Sequence, residues 1–174
     1  MNLSIFNFLF SLSANHTTAV LSLFVSNVLI YILLLIIIIF VLVKIRPLLL
    51  NLFVLGGAGI GAYIVSKIIK EILKIPRPFV DINIVPLFHE SGYSLPSSHA
   101  TLFAALTVVA FSMNRKLGIF FILCTLLIGL SRSIIGVHYP LDVLFGFIIG
   151  AIIGTLFVRI GKHPKVIAFF AKNL

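Results

Sequence analysis

The chain has 174 residues and a formal net charge of +9, and 61% of its residues are hydrophobic while only 10% are charged. Soluble domains carry about 25% charged residues, so the composition excludes an ordinary water-soluble protein, and the positive charge is explained by membrane anchoring without a nucleic-acid partner. The single cysteine, Cys124, excludes an internal disulfide and a cysteine metal cluster.

The N-terminal segment NLSIFNFLFSLSAN has an apolar stripe at helical spacing. Leu3, Phe6 and Phe10 recur on one face, with asparagine and serine opposite. Such a segment is typical of a helix that lies in the membrane interface, so we predict an interfacial helix there and not a span. A cleaved signal peptide is not expected, because no basic residue precedes the apolar part.

Five apolar runs that follow are candidates for membrane-spanning helices, which need about 20 residues. They cover residues 19–43, 48–66, 97–113, 117–131 and 141–158. The third and fourth runs are short, so residues at their ends are expected near headgroup depth. We predict an all-α integral membrane bundle of about five spans plus the interfacial helix, six helices in all, as one membrane-embedded domain over residues 1–174. A sixth short span stays open.

Basic residues fall unevenly on the two sides that five spans create. One side receives eight: Lys44, Arg46, Arg115, Lys116, Arg159, Lys162, Lys165 and Lys172. The other receives five, together with all four acidic residues: Lys67, Lys70, Lys74, Arg77 and Arg132, with Glu71, Asp81, Glu90 and Asp142. The positive-inside rule predicts that the first side, with the C-terminus, is cytoplasmic. The second side would then face outward from the plasma (inner) membrane.

The second span ends in the segment KEILKIPRPFV. Four charged residues are spaced to share one helical face: Lys67, Lys70, Glu71 and Lys74. Pro76 and Pro78 are expected to end the helix and to hold Arg77 in an extended turn. Lys70 and Arg77 would thus lie near each other at the membrane edge. The alternative is that they are snorkelling basic residues without a function.

The third span begins at GYSLPSSHAT. After Pro96, either Ser97 or Ser98 can cap the helix, which places His99 in its first turn. Free N–H groups and the positive end of the helix dipole make such a start suitable for an anion. An ordinary serine cap beside an interfacial histidine is the alternative.

The segment SRSIIGVHYPLD joins the fourth and fifth spans. Arg132 ends the fourth span, and Pro140 suits the first position of the fifth, with Tyr139 outside the helix. His138 then lies at the threshold of the fifth span, within reach of Asp142 one turn later. A carboxylate so placed can fix an imidazole tautomer. A purely structural pair is the alternative, although three ionisable groups at membrane depth are costly.

Together the three segments form one pattern: Lys70-x6-Arg77-Pro78, Pro96-Ser97-Ser98-His99 and Ser131-Arg132-x5-His138-x3-Asp142. It resembles the type-2 phosphatidic acid phosphatase family, the membrane relatives of the vanadium haloperoxidases, over residues 70–142. Ser98 departs from it, because the family usually has glycine there. The resemblance implies dephosphorylation of a lipid phosphate or diphosphate in the cell envelope. Candidate substrates are undecaprenyl diphosphate, lipid A 1-phosphate, phosphatidylglycerol phosphate and phosphatidic acid.

The residues suit this chemistry, and their roles match what the resemblance implies. Five would bind the phosphate: the cations Lys70, Arg77 and Arg132, with Ser97 and Ser98 beside them. His138 would be the nucleophile that forms a phosphohistidine, with Asp142 as its orienting partner. His99 would protonate the leaving lipid oxygen and then deprotonate the attacking water.

No metal or other cofactor is expected, because the three cations supply the charge that Mg²⁺ would. A metal held by His99, His138 and Asp142 is the alternative, but the flanking cations would repel it. Two other functions stay open: a lipid phosphotransferase with the same intermediate, and a non-catalytic binder or transporter of anionic lipids. The sequence does not select a substrate or an oligomeric state.

Overall fold

The structure, a computed structural model, describes residues 2–44 and 47–171 of the chain. These residues form nine α-helices and one 3-10 helix (Leu12–Ala14), with no strand among them, so the predicted all-α class is confirmed. The α-helices are α1 (Asn2–Ser11), α2 (His16–Asn27), α3 (Leu29–Lys44), α4 (Leu48–Leu73), α5 (Pro78–Asp81), α6 (Ser98–Met113), α7 (Arg115–Ile134), α8 (Pro140–Gly161) and α9 (Pro164–Ala171).

Four helical stretches of the described chain are long and apolar enough to cross a membrane. They are His16–Val43, Leu48–Asp81, Arg115–Ile134 and Pro140–Gly161, and they match the first, second, fourth and fifth predicted spans. The third predicted span is α6, an apolar helix of only 16 residues. It lies at the centre of the bundle, in contact with α4, α7 and α8.

The helices outnumber the six predicted, for two reasons. The first predicted span is divided into α2 and α3 at Val28, next to Asn27, whose side chain donates a hydrogen bond to the Leu23 carbonyl at 3.0 Å and so competes with the regular helix. The short helices α5 and α9 were not predicted. The last, α9, packs on α4 and α8, with the Phe170 and Phe53 ring centroids 5.5 Å apart.

The helix α4 ends just before the two prolines, as predicted. It runs to Leu73, and Lys74 closes it in a left-handed conformation (φ 49°), two residues before Pro76, where proline is common because it cannot continue a helix. Lys74 therefore does not share a helical face with Lys70, which is buried. Arg77 is extended as predicted (φ −76°, ψ 157°).

A seam of glycines brings the starts of α6 and α8 together. Gly146, Gly150 and Gly154 recur every four residues on α8, and a Cβ on any of them would collide with α6. Small residues at this spacing let helices approach closely in lipid. At the end of the seam where α6 and α8 begin, the Ser97 N–H donates to the Asp142 carbonyl at 2.9 Å. The seam thus sets the distance between the two helix starts that carry predicted site residues.

The N-terminal helix α1 covers the connection between α7 and α8. Phe6 is fully buried and meets Tyr139 edge-on, with ring centroids 5.1 Å apart. The Leu141 N–H donates to Asn2 Oδ1 at 3.2 Å. Gly136 has φ +86°, and Phe10 lies against it. The predicted helix is present, and it packs on the loop that contains His138.

Several basic residues of the set predicted to be cytoplasmic lie at the end of the bundle away from that loop. Arg115 and Lys116 begin α7, and Arg159 and Lys162 lie at the end of α8. Arg46 and Lys172 of the same set lie outside the described residues, as does the side chain of Lys44. The side of the membrane assigned to each end stays a prediction.

Candidate active site

The three predicted cations converge although they come from different helices. Lys70 is in the last turn of α4, Arg77 caps α5 and Arg132 is in the last turn of α7. All three side chains are buried, with at most 5% of their surface exposed. Buried charges at membrane depth are costly unless they are hydrogen-bonded, so their partners define the site.

Backbone carbonyl groups of the segment 91–94 hold two of these cations. Lys70 Nζ donates to the carbonyls of Tyr93 at 2.6 Å and Ser94 at 2.9 Å. Arg77 donates from Nε to the Gly92 carbonyl at 2.9 Å and from Nη2 to the Ser91 carbonyl at 3.1 Å. The loop between α5 and α6 thus fixes where both positive charges lie.

A carboxylate joins the two guanidinium groups. Glu90 Oε2 lies 3.2 Å from Arg77 Nη1 and also accepts a hydrogen bond from Arg132 Nη2. The second terminal nitrogen of Arg132 donates to the buried Ser26 hydroxyl of α2 at 2.6 Å. Glu90 is 24% exposed, whereas both arginines are almost completely buried.

His138 is held at both ring nitrogens. Its Nε2 lies 3.2 Å from Arg77 Nη1, and because a guanidinium group can only donate, Nε2 must accept. The ring proton is then on Nδ1, which lies 3.3 Å from Ser94 Oγ. Burial, together with the neighbouring Arg132 and Arg77 charges, holds the pKa of His138 well below its usual value. His138 is therefore a neutral imidazole with its Nε2 lone pair directed at the cations.

Asp142 supports His138 in a way that the sequence did not predict. Its Oδ2 atom lies 3.5 Å from His138 Nδ1, longer than an ordinary hydrogen bond. The Ser94 hydroxyl connects them, because it donates to Asp142 Oδ2 at 2.5 Å. The same oxygen accepts the Tyr139 N–H at 2.8 Å as part of the cap of α8. The predicted pair is thus close, with Ser94 as an additional link.

The predicted anion-binding segment forms the start of α6. Ser97 is the N-cap, and its buried hydroxyl accepts the Ala100 N–H at 3.5 Å. Ser98 begins the helix, and its hydroxyl lies 3.2 Å from the Ser66 hydroxyl of α4. His99 follows in the first turn. The part of both serines in phosphate binding stays a prediction.

Two buried nitrogen atoms have no hydrogen-bond partner within the described part of the chain: His99 Nδ1 and Arg132 Nε. A cavity of about 230 Å³ lies between α4, α6 and the loop between α5 and α6; His99 lines it, whereas Arg132 and His138 are not among its lining residues. It is lined by Tyr63, Lys67, Lys70, Glu71, Arg77, Glu90, Ser91, Gly92, Tyr93, Ser98, His99 and Leu102. In the described ranges no group of three histidine, cysteine, aspartate or glutamate side chains is arranged to hold a metal ion. The site is thus a cationic cavity with a neutral histidine behind it.

The family model described as the PAP2 superfamily matches residues 47–164, which contain every predicted site residue and every residue that lines the cavity. The chain belongs to the PAP2 superfamily. The family predicted from the three motifs is therefore confirmed.

Similar proteins agree with the PAP2 assignment. Undecaprenyl-diphosphatase BcrC of Bacillus subtilis (strain 168) is 37% identical over 105 residues, 60% of this chain and 54% of that protein. Phosphatidylglycerophosphatase B of the same organism is 32% identical over 121 residues, 63% of this chain and 56% of that protein. The chain spans about half the length of the curated relatives it matches.

The fold agrees as well. The crystal structure of Aquifex aeolicus LpxE has a TM-score of 0.66 to this chain at 21% identity, and the match covers 90% of this chain and 94% of that chain. Together with the long apolar helices, this establishes a multi-pass membrane protein.

Proposed function

We propose that this PAP2 protein removes phosphate from a membrane lipid phosphate or diphosphate, without a metal, through a phosphohistidine on His138. The observation that carries the proposal is the environment of His138 Nε2, a neutral acceptor 3.2 Å from Arg77 in a cluster of three buried cations. A neutral imidazole is a competent nucleophile. The cations would stabilise the charge that spreads over the phosphoryl oxygens in the transition state.

In the first step the Nε2 lone pair of His138 attacks phosphorus, and the bond from phosphorus to the lipid oxygen breaks. His99, at the start of α6, is protonated once the phosphate dianion has bound beside it, and it gives that proton to the lipid oxygen as the lipid leaves. Lys70, Arg77 and Arg132 bind the phosphoryl oxygens throughout. The proton on His138 Nδ1 stays on the ring, where Ser94 and Asp142 stabilise the positive charge that forms.

In the second step water attacks the phosphorus of the phosphohistidine. His99, now neutral, accepts a proton from the water, and the bond between nitrogen and phosphorus breaks. Free phosphate leaves, and the electron pair returns to Nε2, so that His138 and His99 regain their starting states. Each step uses only groups of the chain, the lipid and water.

The substrate in this proposal carries its phosphate at headgroup depth. A relative is named an undecaprenyl-diphosphatase and another a phosphatidylglycerophosphatase, so both lipids are candidates, with phosphatidic acid and lipid A 1-phosphate. We also propose one domain in the inner membrane, with the site extracytoplasmic and the C-terminus cytoplasmic. A cysteine introduced between residues 81 and 92 should be labelled only from outside the cell, and labelling only from the cytoplasm would reverse the topology.

The test is phosphate release by the purified protein in detergent with EDTA, on these four lipids. We expect release that EDTA does not abolish and that disappears in His138→Ala, while a labelled lipid product would indicate transfer instead. Release that EDTA abolishes, or that survives in a folded His138→Ala variant, would contradict the proposal. Lipid binding that survives in that variant, without release by the wild type, would identify a binding protein.

A further inference from the structure

Glu90 occupies the place between Arg77 and Arg132 where the proposed phosphoryl group would bind. The other partners of Arg77 are backbone carbonyls and His138, which are fixed parts of the site. Glu90 differs from them, because it is charged, lies on a loop and is 24% exposed to the cavity. A phosphoryl group that reaches both guanidinium groups must therefore displace the Glu90 carboxylate.

The surroundings of the site make such a counter-ion useful. Anionic phospholipids of the bilayer carry phosphodiester groups, each with one negative charge. A terminal phosphate carries about 1.5 to 2 negative charges near neutral pH and three oxygens that accept hydrogen bonds. Without a counter-ion, a cluster of three cations would attract both kinds of headgroup, and the abundant diester lipids would occupy the site.

We propose that Glu90 is a specificity-determining residue that excludes phosphodiester headgroups and admits terminal phosphates. The inference rests on the proposed function of the site. A phosphodiester offers the arginines one negative charge, no more than the carboxylate already supplies, and its two ester oxygens carry bulky substituents. A terminal phosphate offers nearly twice the charge and a third free oxygen, so only this group gains from replacing the carboxylate.

A donor that Glu90 leaves without a partner agrees with its role as a displaceable counter-ion. Arg132 Nε is buried and has no partner in the described residues, although Glu90 bonds to the neighbouring Nη2. One carboxylate therefore does not satisfy the donor set of the two guanidinium groups. A group with three free oxygens offers these donors more acceptors than the carboxylate does.

The test compares Glu90→Gln with the wild type in detergent micelles that contain an increasing mole fraction of phosphatidylglycerol. Glutamine keeps the size and one acceptor oxygen but removes the charge. Glu71→Gln is the matched control, because Glu71 lines the same cavity and has no ion-pair partner among the described residues. We expect phosphatidylglycerol to inhibit lipid phosphate hydrolysis about tenfold more strongly in Glu90→Gln, and equally in Glu71→Gln and the wild type.

Binding measured by calorimetry keeps the inference separate from catalysis. With dimethyl phosphate as the probe, we expect binding to Glu90→Gln, and binding to the wild type about tenfold weaker; inorganic phosphate should bind to both. Equal affinity of the two proteins for dimethyl phosphate would overturn the inference, even where no lipid is hydrolysed and the proposed function itself fails. If Glu90→Gln does not fold, the wild type alone decides, because binding of dimethyl phosphate as tight as that of phosphate would refute the role.

Discussion

Removal of the Ser94 hydroxyl should slow the reaction without weakening substrate binding. In Ser94→Ala the His138 Nδ1–H keeps only Asp142 Oδ2, at 3.5 Å, which is beyond ordinary hydrogen-bond length. Asp142 keeps the Tyr139 N–H at 2.8 Å, so the start of α8 stays capped. Lys70 keeps its bond to Ser94, because the backbone carbonyl makes that bond. The change therefore acts on the nucleophile and spares the cations.

The magnitude follows from the bond that is lost. A hydrogen bond to a charged group contributes about 1.5–3 kcal/mol, and His138 becomes positive as it attacks phosphorus. If the link through Ser94 acts mainly on that charge, kcat should fall about 10- to 150-fold while KM stays nearly constant. Ser94 is thus a positioning residue in this account, since it acts through His138 and does not contact the phosphate.

The assay is single-turnover formation of the phosphoenzyme by rapid quench, together with steady-state kcat and KM. Ser131→Ala is the matched control, because Ser131 is also buried and its hydroxyl donates only to the Ile128 carbonyl of its own helix, at 2.7 Å. That variant should stay within about threefold of the wild type. A folded Ser94→Ala protein with unchanged phosphorylation rate, or with a raised KM and unchanged kcat, would show that Ser94 does not position His138.

Three further predictions concern the charge of His138, the helix seam and the shape of a cation. Because the pKa of His138 is lowered, the ring should stay neutral as the pH falls through the usual histidine pKa of about 6.5. ¹⁵N NMR of labelled histidine, assigned with His138→Ala, should therefore still give an acceptor-type Nε2 at that pH, and titration of His138 near 6.5 would contradict this. Gly150→Ala should lower the free energy of unfolding in detergent by about 1–3 kcal/mol, because the added Cβ would overlap the Thr101 carbonyl. Gly56→Ala is the control, as no atom lies within 4 Å of its Cβ position, and equal stability of the two variants would argue against the seam. Arg77→Lys should lower kcat/KM at least about tenfold, because ammonium cannot reproduce the contacts of Nε, Nη1 and Nη2; full activity would show that charge alone suffices.

Much of the fold could be predicted from the lengths of the apolar segments and from the residues that begin helices. Tyr139 caps α8 and Pro140 begins it as predicted, because proline fixes its own backbone and restricts the preceding residue. The left-handed conformation of Lys74 at the end of α4 could not be predicted, since its residue type does not signal it. Helix α9 was missed because it is only eight residues long.

The site residues can also be divided into those whose positions the sequence predicted and those whose positions it did not. Side chains at helix ends, such as Lys70, His99 and Asp142, have places that helical spacing determines, and the structure brings them to one region. Ser94 and Glu90 come from the loop of residues 82–97, which has no periodicity to indicate where a side chain points. The sequence indicated only that polar residues such as these precede the second motif, and it did not indicate which side chains they contact. Tertiary contacts of the loop with Arg77 and His138, distant in sequence, decide where they lie.

Isolation of the phosphoenzyme is the most direct test of His138 as the nucleophile. The protein would be mixed with a ³²P-labelled lipid phosphate, quenched within milliseconds in alkali and digested for mass spectrometry. We expect an alkali-stable, acid-labile phosphoryl group on His138 that forms and decays at least as fast as kcat and is absent from His138→Ala. A lipid phosphatase that turns over without this adduct, or that carries phosphate on His99, would contradict the assignment of His138 as the nucleophile.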